Sequence, residues 1–155
     1  MLDNCKDSRE TWNAVEELLQ GWLKERRELL VKYAAIAATL DRDAPEASMT
    51  AGLERLCQLL VDYVSVGHFE VFYALIREAE MFADGSDKLA QEIIPSIGDT
   101  TEVILGFDEK YPTADASNLD ADLSLLGEML ESRFEMEDQL IACLHRSHSN
   151  PGATE

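Results

Sequence analysis

Residues 119–144 read LDADLSLLGEMLESRFEMEDQLIACL, and the positions that recur every three or four residues form one stripe. Apart from Arg133 and Glu137 at its centre, that stripe consists of leucine. Such spacing is typical of an amphipathic helix packed lengthwise against other helices. Burying a guanidinium and a carboxylate costs several kcal/mol unless the two groups are paired or line a wet cavity. The stretch therefore predicts a helical bundle with a polar middle.

The remaining sequence repeats this apolar spacing between loop-forming residues. Five helices are predicted, over residues 8–40, 50–66, 68–82, 86–107 and 119–144, with Gly67 separating the second from the third. The predicted fold is all-α: an elongated up-and-down bundle of about five helices, with a four-helix-bundle core and a polar central cavity.

A chain of 155 residues is long enough for a single domain with its own core. That domain is expected to cover residues 1–145. The C-terminal tail, residues 146–155, lacks periodicity and is expected to be disordered.

The net charge of −18 restricts the partners of the chain. An acidic surface repels phosphate, so direct binding of nucleic acid or of an anionic membrane is not expected. A basic protein partner suits it better. Three cysteines without zinc-like spacing and no apolar run of membrane-spanning length indicate a reduced, cytoplasmic protein.

No pattern of catalytic residues is visible. A di-iron bundle needs Glu-x-x-His motifs, and none of the three histidines follows a glutamate by three residues. His145 and His148 are one turn apart in an end expected to fray, which favours adventitious metal binding over a built site. Neither cofactor, metal nor enzymatic activity is expected. Two alternatives stay open: a bundle whose polar core binds a small ligand or metal and performs catalysis, and a homodimeric scaffold whose acidity serves only solubility.

Three blocks resemble the Rsd/AlgQ proteins, and their order and spacing fit as well. They read LLQGWLKERRELLVKY at 18–33, LCQLLVDYVSVGHFEVFYAL at 56–75 and LESRFEMEDQLI at 130–141. The chain looks closer to the AlgQ branch than to the Rsd branch. The resemblance implies an anti-sigma factor that captures the C-terminal, promoter −35 reading region of the primary, sigma-70 class sigma factor. RNA polymerase would be affected indirectly, and the protein is expected to be a monomer.

The resemblance also changes the interpretation of single residues. The residues alone favour a solvent-facing Asp62, whereas the family motif implies a residue that contacts the partner or lines the cavity. Arg26 interrupts the apolar stripe of the first helix and could join the same polar region. The predicted partner-binding and cavity residues are Trp22, Arg26, Asp62, Tyr63, His68, Phe69, Tyr73, Arg133, Phe134 and Glu137.

Overall fold

The computed structural model describes residues 2–40, 46–111 and 116–148, with the side chains of residues 8–40, 49–111 and 117–148. These parts of the chain form α1 (Leu2–Thr39), α2 (Glu46–Val66), α3 (Phe72–Phe82), α4 (Asp87–Lys110) and α5 (Leu119–Leu144). A π-helical turn, Gly67–Val71, joins α2 to α3, and short 3-10 turns, Ala116–Asn118 and Arg146–His148, flank α5. The predicted all-α fold class is confirmed.

The helices alternate in direction, as contacts between them show. The hydroxyl of Tyr33 near the end of α1 donates to the carbonyl of Leu123 near the start of α5, at 2.7 Å. At the other end of the bundle, Trp12 Nε1 donates to the carbonyl of His145 at 3.0 Å. Helices α1 and α5 are therefore antiparallel. Lys110, at the end of α4, donates to Asp122, near the start of α5, so these two helices are antiparallel too. This is an up-and-down bundle.

The core follows the leucine stripe of α5 and the matching stripes of its neighbours. Leu123, Leu126, Leu130 and Leu140 are each at most 2% exposed. Helix α2 buries leucines on its inner side, including Leu56 and Leu60, at 0% each. By length and composition alone, Met49–Phe82 could also span a membrane. In this bundle its apolar side is covered by other helices, as expected for a core helix.

The second and third predicted helices are continuous, so the predicted break at Gly67 was wrong. At Gly67–Val71 the backbone widens into a π-turn, in which the amide of Phe72 donates to the carbonyl of Gly67 five residues earlier. Trp22 Nε1 donates to the carbonyl of Tyr63 at 3.0 Å, which stabilises the backbone just before the turn. A Cβ on Gly67 would lie 3.0 Å from Trp22 Cζ2, so glycine lets the indole approach closely.

Two helix starts also lie earlier than predicted. Helix α1 begins at Leu2 rather than at residue 8, and α2 begins at Glu46 rather than at residue 50. The predicted loop therefore shortens, and its residues 41–45 lie outside the described residues.

The C-terminal end of α5 does not fray at the histidines. His145 is 0% exposed, and its two ring nitrogens lie 2.6 Å from Glu78 Oε1 and 2.8 Å from Glu16 Oε1. His148 lies 3.2 Å from Glu78 Oε2 and 2.7 Å from Asp84 Oδ2. These five residues are called the histidine cluster below. They fix residues 145–148 against α1 and α3, whereas the rest of the predicted disordered tail, 149–155, lies outside the described residues.

Candidate partner-binding site and its supporting cluster

Arg133 and Glu137 face the core because both lie on the leucine stripe, one turn apart. Both are 0% exposed, and Arg133 Nε donates to Glu137 Oε2 at 2.8 Å. The remaining Arg133 bonds go to α4: its Nη1 donates to Thr101 Oγ1 at 2.7 Å and to Thr100 Oγ1 at 3.2 Å. Hydroxyl partners on the facing helix thus satisfy part of the buried guanidinium.

Arg26 closes the cluster from α1. Its Nη2 donates to Glu137 Oε1 at 3.1 Å, and its Nε donates to the Tyr63 hydroxyl at 3.1 Å. The Tyr63 hydroxyl in turn donates to Glu137 Oε1 at 2.5 Å. Burial raises the pKa of Glu137, and the guanidinium groups and the Tyr63 hydroxyl oppose that rise. Arg26, Tyr63, Thr101, Arg133 and Glu137 are called the mid-bundle cluster below.

His68 connects this cluster to the π-turn. Its Nε2 lies 2.9 Å from Thr101 Oγ1, the same hydroxyl that accepts from Arg133. Burial and the Arg133 charge lower the pKa of His68, which keeps the imidazole neutral at neutral pH. His68 is therefore a packing and bridging residue inside a continuous helix, and it does not open a helix as the sequence predicted.

The outer surface beside the π-turn is acidic and aromatic. Phe69 is 80% exposed and Tyr73, one turn later, is 61% exposed. Asp62 lies exposed on α2, and Glu70 lies exposed next to Phe69. Glu25 joins them from α1. Glu25, Asp62, Phe69, Glu70 and Tyr73 are called the acidic–aromatic patch below.

Within this patch, the carboxylate of Glu25 is in an unfavourable electrostatic environment. Burial raises its pKa, and the negative charges of Asp62, Glu28 and Glu70 raise it further. Its Oε2 is buried without a hydrogen-bond partner among the described residues. Clustered carboxylates that repel one another favour a cation, so the patch is suited to a positively charged group from outside the chain.

The structure divides the predicted site residues into two groups. The first lies inside the bundle in or against the mid-bundle cluster: Trp22, Arg26, Tyr63, His68, Arg133, Phe134 and Glu137. The second lies on the surface: Asp62, Phe69 and Tyr73. The predicted shared polar region therefore does not include Asp62, since a helix residue next to Tyr63 points to a different side. Around Glu137, side chains from α1, α2 and α5 bond to one another.

Sequence reasoning missed Glu25 and Glu70 as members of the patch. Glu25 lies within the run KERRE at 24–28, whose mixed charges are typical of a solvated helix surface. The sequence carries no local signal that sets Glu25 and Glu70 apart from other surface carboxylates.

Comparison with known proteins identifies the family. The model of the family described as regulator of RNA polymerase sigma(70) subunit, Rsd/AlgQ, matches residues 1–145. The chain belongs to the Rsd/AlgQ family. As a member, it is an anti-sigma regulator of the sigma(70) subunit, as the resemblance in its sequence implied.

Curated relatives agree with this Rsd/AlgQ assignment. A protein named regulator of sigma D from Yersinia pseudotuberculosis serotype O:1b (strain IP 31758) is 31% identical over 147 residues, covering 91% of this chain and 87% of the relative. The protein of that name from Salmonella paratyphi B (strain ATCC BAA-1250 / SPB7) is 32% identical over 152 residues, covering 91% and 90%. No solved structure matches the chain.

The two buried clusters of this Rsd/AlgQ protein do not have the geometry of a metal centre. Among the described side chains, no group of three or more His, Cys, Asp or Glu residues is arranged to hold a metal ion. The ring nitrogens of His145 and His148 are engaged by carboxylates, so they present no free lone pairs to a metal. Cys57 is buried, and burial, followed by the charge of Asp108, raises the pKa of its thiol to about 12, so a thiolate is disfavoured there.

Proposed function

We infer that this protein sequesters the C-terminal, promoter −35 reading region of the primary sigma factor, with the acidic–aromatic patch as its contact surface. One observation carries the inference. The negative charges of Asp62 and Glu70 raise the pKa of the partly buried Glu25, and Glu70 is next in the chain to Phe69, whose side chain is 80% exposed. Aromatic anchors surrounded by polar groups are typical of the energetic centre of a protein interface.

The charge of that sigma region fits this surface. A helix-turn-helix module that reads a promoter is basic because it contacts phosphate groups. Its lysine and arginine side chains would relieve the repulsion around Glu25. A net charge of −18 would also steer a basic module toward the chain and compete with DNA for the same positive surface.

The mid-bundle cluster would act as a support for the patch. Arg133 and Glu137 are 0% exposed, so a partner would not touch them in this conformation. Through Thr101 and His68 they brace the π-turn that presents Phe69. Their role in binding would then be to hold the shape of the surface.

The remaining features of the proposal follow from sequestration. Residues 1–145 would form one anti-sigma domain that acts in the cytoplasm as a monomer. It would act stoichiometrically, without catalysis, cofactor or direct contact with nucleic acid.

The test is a titration of an isolated sigma C-terminal fragment against purified protein by calorimetry. Phe69→Ala combined with Asp62→Asn should weaken binding about tenfold or more, because the substitutions remove an anchor ring and a charge. The matched control is Leu125→Ala with Asp99→Asn, which changes an exposed leucine and an exposed aspartate elsewhere. The control should bind within about twofold of wild type. Full affinity in the folded patch variant would contradict the proposed surface, and absence of binding by wild type would contradict the proposed function.

A further inference from the structure

A groove between α1 and α2 concentrates positive charge on this acidic chain. It encloses about 670 Å³ and is lined by Lys24, Arg27, Glu28, Val31, Lys32, Ala35, Arg55 and Leu59. Four of the 13 Lys and Arg residues of the chain thus face one opening, against the single carboxylate of Glu28. This lining is called the basic groove below.

The positive charges of the groove have no ion-pair partner among the described residues. Within the described parts of the chain, Lys24, Arg27, Lys32 and Arg55 form no ion pair. The neighbouring Arg26 behaves differently, since it bonds to Tyr63, Glu137 and Asp138. Adjacent arginines therefore have separate roles: one is committed to the core, and the other points outward.

Apolar side chains also line the groove. They are Val31, which is 70% exposed, Ala35 one turn later, and Leu59 on α2. From Lys24 to Ala35 the groove follows roughly 16 Å of α1, or about three helical turns. A strip of this length that combines apolar and positive side chains matches one amphipathic helix with acidic flanks.

We propose that the basic groove binds an acidic amphipathic helix of a second protein partner. This goes beyond the proposed capture of a basic sigma region, which has the opposite charge requirement. The apolar lining residues favour a helix over a bare phosphate compound, because a phosphate would leave Val31 uncovered. The groove adjoins the acidic–aromatic patch at Glu28, whose charge raises the pKa of Glu25 in that patch, so the two surfaces are neighbours.

The probe is a fluorescein-labelled helical peptide of about 12 residues, enough for three turns, with leucines along one side and glutamates on both flanks. Its anisotropy is measured with the full chain. Saturable binding in the micromolar range is expected, about tenfold weaker for Arg27→Glu combined with Arg55→Glu. The control, Arg9→Glu with Lys88→Glu, changes net charge equally at two exposed positions elsewhere and should bind within about twofold of wild type.

Several results would overturn the proposal. Equal loss in the control variant would mean that net charge, rather than the groove, determines binding. Equal binding of a companion peptide with lysines in place of glutamates would exclude charge recognition. If the wild type forms dimers in sedimentation and Arg27→Glu with Arg55→Glu dissociates them, the groove binds a second copy of the chain. If inorganic polyphosphate displaces the peptide fully, the groove binds a polyanion. Binding of the sigma fragment, measured on the same groove variant, should remain at wild-type strength, which separates this proposal from the proposed function.

Discussion

The bundle contains two clusters of buried charge, at different levels, and they differ in the source of their positive charge. In the mid-bundle cluster it comes from Arg26 and Arg133, whose guanidinium groups stay protonated at any physiological pH. In the histidine cluster it comes from imidazole rings. Each of the two rings has acceptors at both nitrogens, carboxylates at His145 and carboxylates plus a backbone carbonyl at His148. Because acceptors of this kind donate no hydrogen, both rings are held as imidazolium.

The difference shows that two equally buried carboxylates can respond differently to pH. Glu78 is 0% exposed, as Glu137 is, and each carboxylate bridges two cationic groups. The bridge at Glu137 persists as pH rises, whereas the bridge at Glu78 depends on protons that the two imidazolium rings release as pH rises. Stacking of Trp12 on His145 and of Phe82 on His148 adds packing to the second cluster.

The largest effect is expected from Glu137→Gln, which leaves the Arg133 charge buried without its carboxylate. Breaking one side of a buried ion pair costs about 3–5 kcal/mol, and urea unfolding would measure it. The double variant Arg133→Met with Glu137→Met should lose less free energy of unfolding than Arg133→Met and Glu137→Met lose together as single variants. The reason is that neither of the two charges remains in the double variant. A loss below about 1 kcal/mol for Glu137→Gln would show that Arg26 and the threonine hydroxyls stabilise Arg133 by themselves.

Glu78→Gln should cost less, about 1.5–3 kcal/mol, because each imidazolium keeps a second, partly exposed carboxylate. Those carboxylates are Glu16 and Asp84, whose side chains are 35% and 46% exposed. Urea unfolding at about pH 6, where the rings are protonated, is the measurement. Glu80→Gln, at an exposed position on the same helix, is the control and should change the free energy of unfolding little. Equal losses in the two variants would contradict a specific role for Glu78.

A smaller effect is expected from pH itself, in the wild type. Burial lowers the pKa of His145, but bonds to Glu78 and Glu16 outweigh burial and raise it. The pKa of His148 is raised in the same way by Asp84 and Glu78. A histidine whose pKa is higher in the folded state than in the unfolded state contributes to stability. The contribution is complete below the unfolded pKa of about 6.5 and is lost as pH rises through the pKa of the folded state. The melting temperature should therefore fall as pH rises above about 6.5, and the fall should be smaller in Glu78→Gln.

Two aspartates with shifted pKa values respond at lower pH than the histidines. Burial raises the pKa of Asp108 to about 6, below the two histidine pKa values, which are raised above 6.5. The pKa of Asp84 is lowered to about 2 by bonds from Ser86 and His148, and its stabilisation is lost only when pH falls below the ordinary aspartate range. A melting temperature that stays constant as pH rises above about 6.5 would contradict the assignment of the rings as imidazolium.

Sequence reasoning found the first cluster and missed the second for a physical reason. Arg133 and Glu137 interrupt a regular leucine stripe, so their burial follows from helical periodicity. His145 lies one residue beyond the last stripe leucine, Leu144, and its partners come from distant helices. A signal was present in Glu78, which lies three residues after the buried Leu75 and before the buried Ala79. A carboxylate at such a position requires a buried donor, but the sequence does not indicate which helix supplies it.

The smallest effect is expected where the mid-bundle cluster reaches the surface. Arg26 Nη1 donates to Asp138 Oδ1 at 2.8 Å, but the Asp138 side chain is 60% exposed. Water and salt screen such a pair, so Asp138→Asn should cost no more than about 1 kcal/mol in urea unfolding, and less at high salt. Glu135→Gln, exposed three residues earlier, is the control. Glu137 and Asp138 are consecutive and both accept from Arg26, but Glu137 is buried and also accepts from Arg133 and Tyr63. The difference between Glu137→Gln and Asp138→Asn therefore measures what burial and these additional bonds add to the contact with Arg26. Comparable losses in the two would mean that the number of bonds to Arg26, rather than exclusion of water, sets the strength of the cluster.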